Sequence, residues 1–287
     1  MGDKTGIEWT EATWNPIVGC SVVSPGCTNC YAMKQAERIQ RMTPGSHYAG
    51  TTKAVNGNAV WTGVLKQAPE NILLQPLKWK RPRRIFVNSM SDLFHDAVPD
   101  EWIDRVFAIM ALCPQHTFQV LTKRSKRMRD YMTPGMRDAN DRVYNTAYAM
   151  SARFQVAGMG PQWPLPNVWL GVSAEDQTRA DERIPDLVAT PAAVRFVSAE
   201  PLLGPIFFSE SCGGGPGLPL DWIIVGGESG SGARHMDDFW ALDIVRQCQS
   251  AKVNVFVKQL SGMGGRPVKD IALFPPALQV REYPAHG

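Results

Sequence analysis

Seven short apolar runs, each closed by turn or polar residues, set the limits on how this chain can fold. They are TWNPIVG at 13–19, RIFVNS at 84–89, TFQVLT at 117–122, NVWLGVS at 167–173, VRFVSA at 194–199, DWIIVGG at 221–227 and NVFVKQ at 254–259. Runs that are apolar throughout, rather than alternating, suit strands covered on both faces, as in parallel sheets flanked by helices. Between them lie stretches of helical periodicity: CTNCYAMKQAERIQRM, PDEWIDRVFAIMALC, MRDANDRVYNTAYAMSARF, TRADERIPDLV and DDFWALDIVRQCQS. In the last, Trp240, Ile244, Val245 and Cys248 recur on one stripe. Regular alternation of strand and helix predicts repeated βαβ units with right-handed crossovers.

The expected fold is α/β, a partial or full (β/α) barrel of about six to seven parallel strands, and 287 residues suffice to build it as one domain over 1–287. An insertion around 43–67, carrying a hairpin, precedes the second strand, and SESCGGGPGLP at 209–219 reads as a flexible loop. In a barrel of this kind the βα loops all open at the carboxyl ends of the strands, where binding and catalytic groups collect.

The polar residues follow that rule. Asn88, Ser89, Ser91 and Asp92 end the second strand; Thr122, Lys123 and Arg124 the third; Ser173, Glu175 and Asp176 the fourth. Ser198 and Glu200 follow the fifth, Gly226, Gly227, Glu228 and Ser229 the sixth, and Lys258 and Gln259 lie near the end of the seventh. Ser91, Ser125 and Asp176 also suit helix capping. Glu200 and Lys258 abut apolar strand residues, where a lone charge is costly, so a structural ion pair between them is an alternative to a functional role. His95 and His235 read as solvated loop histidines.

Half of the six cysteines fall in one short stretch, GCSVVSPGCTNCYA at 19–32, where Pro25 and Gly26 bend the chain. Cys20, Cys27 and Cys30 cannot pair evenly into disulfides, so the stretch reads as a metal or cluster loop. Zinc would need a fourth ligand, from His95 or a remote cysteine. A four-iron cluster needs only three, leaving one iron open to a small chelating molecule. Cys113, Cys212 and Cys248 are widely separated and read as buried or free thiols in a reducing compartment.

Hydrophobic residues at 44% and charged residues at 20% are ordinary for a globular chain, and no run of about twenty apolar residues is present to span a membrane. The opening MGDKTGIEWTEATW has no apolar signal-peptide core, so a cytoplasmic location is expected. A net charge of +3 does not by itself indicate nucleic-acid binding. Basic residues concentrate in KWKRPRR at 78–84 and TKRSKRMR at 122–129, either of which suits a solvated flank or phosphate contact.

The segments TWNPIVGCSVVSPGCTNCYA, FVNSMSDLFHD, FQVLTKRSKRM, WLGVSAEDQ, FVSAEPLLGPI, WIIVGGESGSGAR and VFVKQLSG, with the PPALQVREYP tail, together resemble the phage-associated three-cysteine-motif family of radical-SAM-like proteins. The resemblance implies a radical-SAM-like barrel holding a [4Fe-4S] cluster through Cys20, Cys27 and Cys30, with S-adenosylmethionine on the fourth iron. A 5′-deoxyadenosyl radical would then abstract a hydrogen from the substrate. It implies cofactor contacts at Asn88, Ser89 and Asp92 for the methionyl amine and at Ser173 and Glu175 for the ribose. Glu200 and Arg234 are further cofactor candidates. Glu228 and Lys258 stand for substrate and proton management, and Lys123 and Arg124 for an anionic group such as phosphate. The wider superfamily spaces its cysteines by three and then two residues; here six and then two intervene, and Asn29 precedes the last cysteine.

The family context implies DNA or a modified nucleotide as substrate, with isomerisation of an amino-acid-decorated thymine as one reaction. It also implies an external electron donor, no membrane, and the host cytoplasm if the chain is phage-encoded. Two alternatives stay open: a related cluster enzyme in nucleic-acid repair or scission, and a zinc-stabilised nucleic-acid-binding module without catalysis.

Overall fold

The computed structural model describes residues 5–133, 139–154, 162–214, 217–230, 232–262 and 266–285. In chain order its strands are β1 (Ala12–Trp14), β2 (Ile17–Val18), β3 (Thr52–Val55), β4 (Asn58–Trp61), β5 (Lys66–Gln67), β6 (Arg84–Val87), β7 (Thr117–Thr122), β8 (Val168–Ser173), β9 (Val194–Ala199), β10 (Trp222–Gly226), β11 (Asn254–Ser261) and β12 (Pro267–Val268). The helices are α1 (Tyr31–Met42), α2 (Glu70–Leu73), α3 (Asp100–Ala111), α4 (Ser125–Met132), α5 (Ala139–Phe154), α6 (Gln177–Ala189), α7 (Phe208–Ser211) and α8 (Asp238–Ala251).

Among the described residues, eight strands form a central sheet in the order β1-β6-β7-β8-β9-β10-β11-β12. The β1/β6, β6/β7, β9/β10 and β10/β11 ladders are parallel, and β11/β12 is antiparallel. The protein is therefore a mixed α/β fold on a mostly parallel sheet. No ladder joins β1 to β12 among the described residues, so the sheet is not shown to close into a barrel. Every residue of β8 and of β10 is buried, as their unbroken apolarity requires.

The chain divides into two compact units. One comprises Met1–Ser21, Ala32–Trp169 and Thr190–Ala193; the other Val22–Tyr31, Leu170–Ala189 and Val194–Gly287. In the first, α3 begins behind Pro99 with Asp100 and Glu101 in its opening turn, where carboxylates favour the helix dipole, and it buries Ile103, Val106, Phe107 and Met110. The expected hairpin is β3/β4, turned by Asn56 and Gly57, both at positive φ. In the second unit, the Asp237 side chain caps α8 by accepting from Phe239 N at 2.9 Å, and Ala241, Ile244, Val245 and Cys248 are buried. Trp240 stays half-buried, so Ala241 takes its expected place in the core.

Two local expectations are corrected. The first apolar run is not one strand: Pro16 brings no N–H to a ladder, and the run splits into β1, parallel to β6, and β2, antiparallel to β5. The stretch at 209–219 opens inside α7, whose last residue is Ser211; positions 215 and 216 lie outside the described residues.

Candidate functional site

Cys20 belongs to the first unit and is placed by backbone geometry. Gly19 has φ +93°, and a Cβ there would lie 2.0 Å from Val64 O, so only glycine fits the approach. Gly19 N donates to Met90 O at 3.2 Å and Gly63 N donates to Cys20 O at 3.2 Å, fastening this turn to two others. The neighbouring 88–91 turn, at the end of β6, carries Asn88 at φ 59° and is held by Asn15, whose Oδ1 accepts from Ser89 Oγ at 3.1 Å and Met90 N at 3.0 Å. Asn88 Oδ1 accepts from Ile17 N at 3.4 Å, while its buried Nδ2 has no hydrogen-bond partner among the described residues.

Asp92 is the centre of this region. Its Oδ1 accepts from Thr122 Oγ1 at 2.7 Å and Phe94 N at 3.0 Å, and its Oδ2 from Lys123 N at 3.0 Å and Arg124 Nη1 at 2.9 Å. Arg124 is buried, and its guanidinium also reaches Cys20 Sγ at 3.9 Å and Ser21 Oγ at 2.9 Å. Ser21 Oγ lies 2.8 Å from His95 Nε2, and His95 Nδ1 accepts from Ala97 N at 3.1 Å. Burial first, and then the Arg124 charge, push the His95 pKa below its ordinary value, outweighing Asp92 and Asp96. The ring is therefore neutral at pH 7, with its proton on Nε2 as assigned from these bonds.

Cys27 and Cys30 belong to the second unit. Pro25–Cys27 forms a single 3₁₀ turn, with Cys27 N donating to Ser24 O at 2.9 Å and Cys30 N to Cys27 O at 3.3 Å. Glu175, just beyond β8, accepts from Gly26 N at 2.9 Å with Oε1 and pairs through Oε2 with Arg183 of α6 at 3.1 Å. The side chains of this pair are 0% and 2% exposed, and Arg183 also donates to Ser173 O at 2.7 Å.

Glu228, just beyond β10, grips the other end of the turn. It accepts from Asn29 Nδ2 at 2.8 Å, from Arg234 N at 2.9 Å and from the Arg234 side chain through both oxygens. Arg234 Nη2 continues to Pro25 O at 3.0 Å. Burial raises the Glu228 pKa, but the Arg234 and Asn29 hydrogen bonds outweigh it and leave the carboxyl below its ordinary value.

Glu200 and Lys258 form the ion pair that their apolar surroundings suggested, with Nζ 2.9 Å from Oε1. Ser198 Oγ donates to Glu200 Oε2 at 3.2 Å, and Ser173 Oγ to Glu200 O at 3.3 Å. Asp176 accepts from Arg179 N at 2.9 Å and so serves α6, as its capping position implied. The second basic cluster is largely neutralised from within: Lys126 pairs with Asp130, Arg127 with Asp100, Arg129 with Asp130 and Arg124 with Asp92. In the first, Arg83 lies over the Trp79 ring at 4.9 Å and Arg84 is near Glu11 at 3.5 Å.

The predicted residues thus fall into groups: Cys20, Asp92, the Lys123 backbone and Arg124 in the first unit; Glu175, Glu228 and Arg234 around the Cys27–Cys30 turn; and Ser173, Glu200 and Lys258. Sequence reasoning missed Ser21, Asn15, Asn29 and Arg183, and it left His95 as a solvated loop residue. The signal for His95 was its place three residues after Asp92, within one turn. Arg183 carried none, because an arginine in a helical repeat reads as surface.

Among the described residues no disulfide joins any of the six cysteines. Among the described residues no group of three or more His, Cys, Asp or Glu side chains is gathered to hold a metal ion. By donor chemistry the residues suit an iron-sulfur cluster: three cysteines lie within eleven residues of chain, one with a guanidinium donor at its sulfur. Among the described residues no helix is long and apolar enough to cross a membrane. No curated protein and no solved structure matches the chain. The family model described as "Protein of unknown function (DUF5131)" matches residues 4–271, and the chain belongs to that family.

Proposed function

We infer that this protein is a radical S-adenosylmethionine enzyme in which Cys20, Cys27 and Cys30 hold three irons of a [4Fe-4S] cluster. The observation that carries the reading is that charged side chains from strand ends hold the stretch that bears the three cysteines: Arg124 at Cys20 Sγ, Glu175 at Gly26 N, Glu228 at the Asn29 side chain and Arg234 at Pro25 O. Such fixing is costly in conformational entropy, and a loop that only connects two elements has no need of it. The strand order from β6 to β11, which follows the chain, supports a radical-SAM-like partial barrel.

Bound together, the cluster and S-adenosylmethionine supply a 5′-deoxyadenosyl radical for hydrogen abstraction. The chain's own part is positioning. Glu175, at Gly26 N, and Glu228, at the Asn29 side chain, hold the turn that carries Cys27 and Cys30, so that the thiols meet the metal with little reorganisation. Lys258, paired with Glu200, keeps an ammonium at the end of the sheet, where it can hold a proton or an anionic group against the carboxylate. We assign the substrate to the class of modified DNA or nucleotide, with isomerisation of an amino-acid-decorated thymine as the reaction and an external donor supplying the electron. The sequence resemblance supports this class.

The test is anaerobic purification and reconstitution. A brown protein with about four irons, absorbing broadly near 400 nm and yielding 5′-deoxyadenosine on reduction with S-adenosylmethionine, is expected. A colourless protein with stoichiometric zinc would overturn the reading in favour of a zinc-stabilised module. A product of unchanged mass distinguishes isomerisation from scission.

A further inference from the structure

In the first unit the Arg124 guanidinium contacts the sulfur of Cys20, and its surroundings leave it little freedom. Its side chain is 7% exposed. Nη1 meets Asp92 Oδ2 at 2.9 Å, Nη2 meets Ser21 Oγ at 2.9 Å, and Nε stands 3.8 Å from Asp96 Oδ2. Asp92 is itself immobilised by Thr122 Oγ1, Phe94 N and Lys123 N. The direction left to Nη1 is Cys20 Sγ, at 3.9 Å.

This geometry argues against two other roles. A buried guanidinium already committed to Asp92 and Ser21 is poorly placed to take the phosphate of a large substrate. Nor is Ser21–His95 a nucleophile and base: His95 Nδ1 accepts from Ala97 N, so Nε2 carries the proton towards Ser21.

We propose that Arg124, set in place by Asp92, is a positioning residue for Cys20 that donates an N–H to its sulfur and raises the reduction potential of the cluster bound there. The inference rests on the cluster reading above. Hydrogen bonds to the sulfurs and nearby positive charge favour the more negative, reduced form of a cluster, and these are among the levers a protein has over its potential. A fixed guanidinium supplies both at one ligand of three.

The test uses the whole protein, reconstituted anaerobically, as wild type, Arg124→Lys, Arg124→Gln, Asp92→Asn and the double variant Arg124→Gln/Asp92→Asn. Iron is counted per chain, and the reduced fraction is read by electron paramagnetic resonance at fixed applied potentials. With iron content kept at about four, Arg124→Gln lowers the ratio of reduced to oxidised cluster about tenfold at a given potential, a shift of about 59 mV for one electron. Arg124→Lys, which keeps the charge, restores most of that ratio. The double variant leaves no lone buried carboxylate, so it decides the matter if Arg124→Gln alone fails to fold; because losing the Asp92 charge by itself raises the ratio, it is compared with Asp92→Asn alone, and against that reference it shows the same fall.

Full iron with a ratio within about twofold of the reference, wild type for Arg124→Gln and Asp92→Asn for the double variant, would overturn this role while the cluster reading stands. A wild type that binds no iron overturns the cluster reading, and this inference with it. The iron count therefore tells the two failures apart.

Discussion

Glu175 Oε1 accepts a hydrogen bond from Gly26 N at 2.9 Å, tying the end of β8 to the turn that carries Cys27. The contact is tight: a Cβ on Gly26 would meet the Glu175 carboxyl at 3.0 to 3.2 Å. The other oxygen of the same carboxylate neutralises Arg183 inside the second unit. One buried carboxylate thus serves both core stability and placement of the cysteine turn.

Glu175→Gln keeps the shape and removes the charge, stranding Arg183 in the interior. Breaking a buried pair from one side costs about 3–5 kcal/mol. Urea unfolding should show a loss of that size, together with lower iron loading after reconstitution. A loss below about 1 kcal/mol would show that Arg183 has another counter-charge.

Gly19→Ala forces a methyl group into the space of Val64 O at a backbone angle that side chains rarely adopt. Strain of this kind costs about 1–3 kcal/mol before the clash is relieved. The expected outcome is a lower melting temperature and reduced iron binding, whereas Gly45→Ala, also at positive φ but with nothing within 4 Å, carries the strain without the clash. Equal effects of the two variants would contradict the close-approach argument.

Acid should loosen the grip on the cysteine turn. Although burial opposes it, Arg234 holds the Glu228 pKa below its ordinary 4.5, so the folded state binds fewer protons there than the unfolded chain. That contribution is present above the ordinary value and is lost as pH falls through the lower, folded value. Melting curves from neutral pH down through that window should therefore fall more steeply for wild type than for Glu228→Gln. Parallel curves would remove Glu228 from the account.

Cys113 and Cys248 lie in the core, and burial pushes each thiol up to about 12. At pH 8 both are protonated and shielded, and only a thiolate reacts readily with alkylating reagents. Mass spectrometry after iodoacetamide treatment should find them labelled only in denaturant. Labelling of either in the folded protein at the rate of Cys20 or Cys30 would contradict the packing.

Much of the fold was legible because strand burial leaves a direct trace in residue order. The runs at 117–122 and 194–199 are β7 and β9 to the residue, and the hairpin expected in the insertion around 43–67 is β3/β4. The split at Pro16 was also written in the chain, since proline has no N–H to give. A barrel expectation went beyond what alternation of strand and helix can establish, because alternation determines strand order and leaves closure to twist and shear.

The sequence by itself determined the mostly parallel α/β sheet, the polar strand ends and the concentration of three thiols in one bend, all of which depend on local pattern. Only the tertiary structure decided what those polar groups touch. Asp92, which the resemblance made a cofactor contact, receives four hydrogen bonds, from Thr122, Phe94, Lys123 and Arg124. Arg124 and Cys20 are 104 residues apart in the chain, and no rule of spacing places one beside the other. Side-chain partners across such distances are chosen by where β2 and β7 end in space, and that depends on the packing of the whole unit.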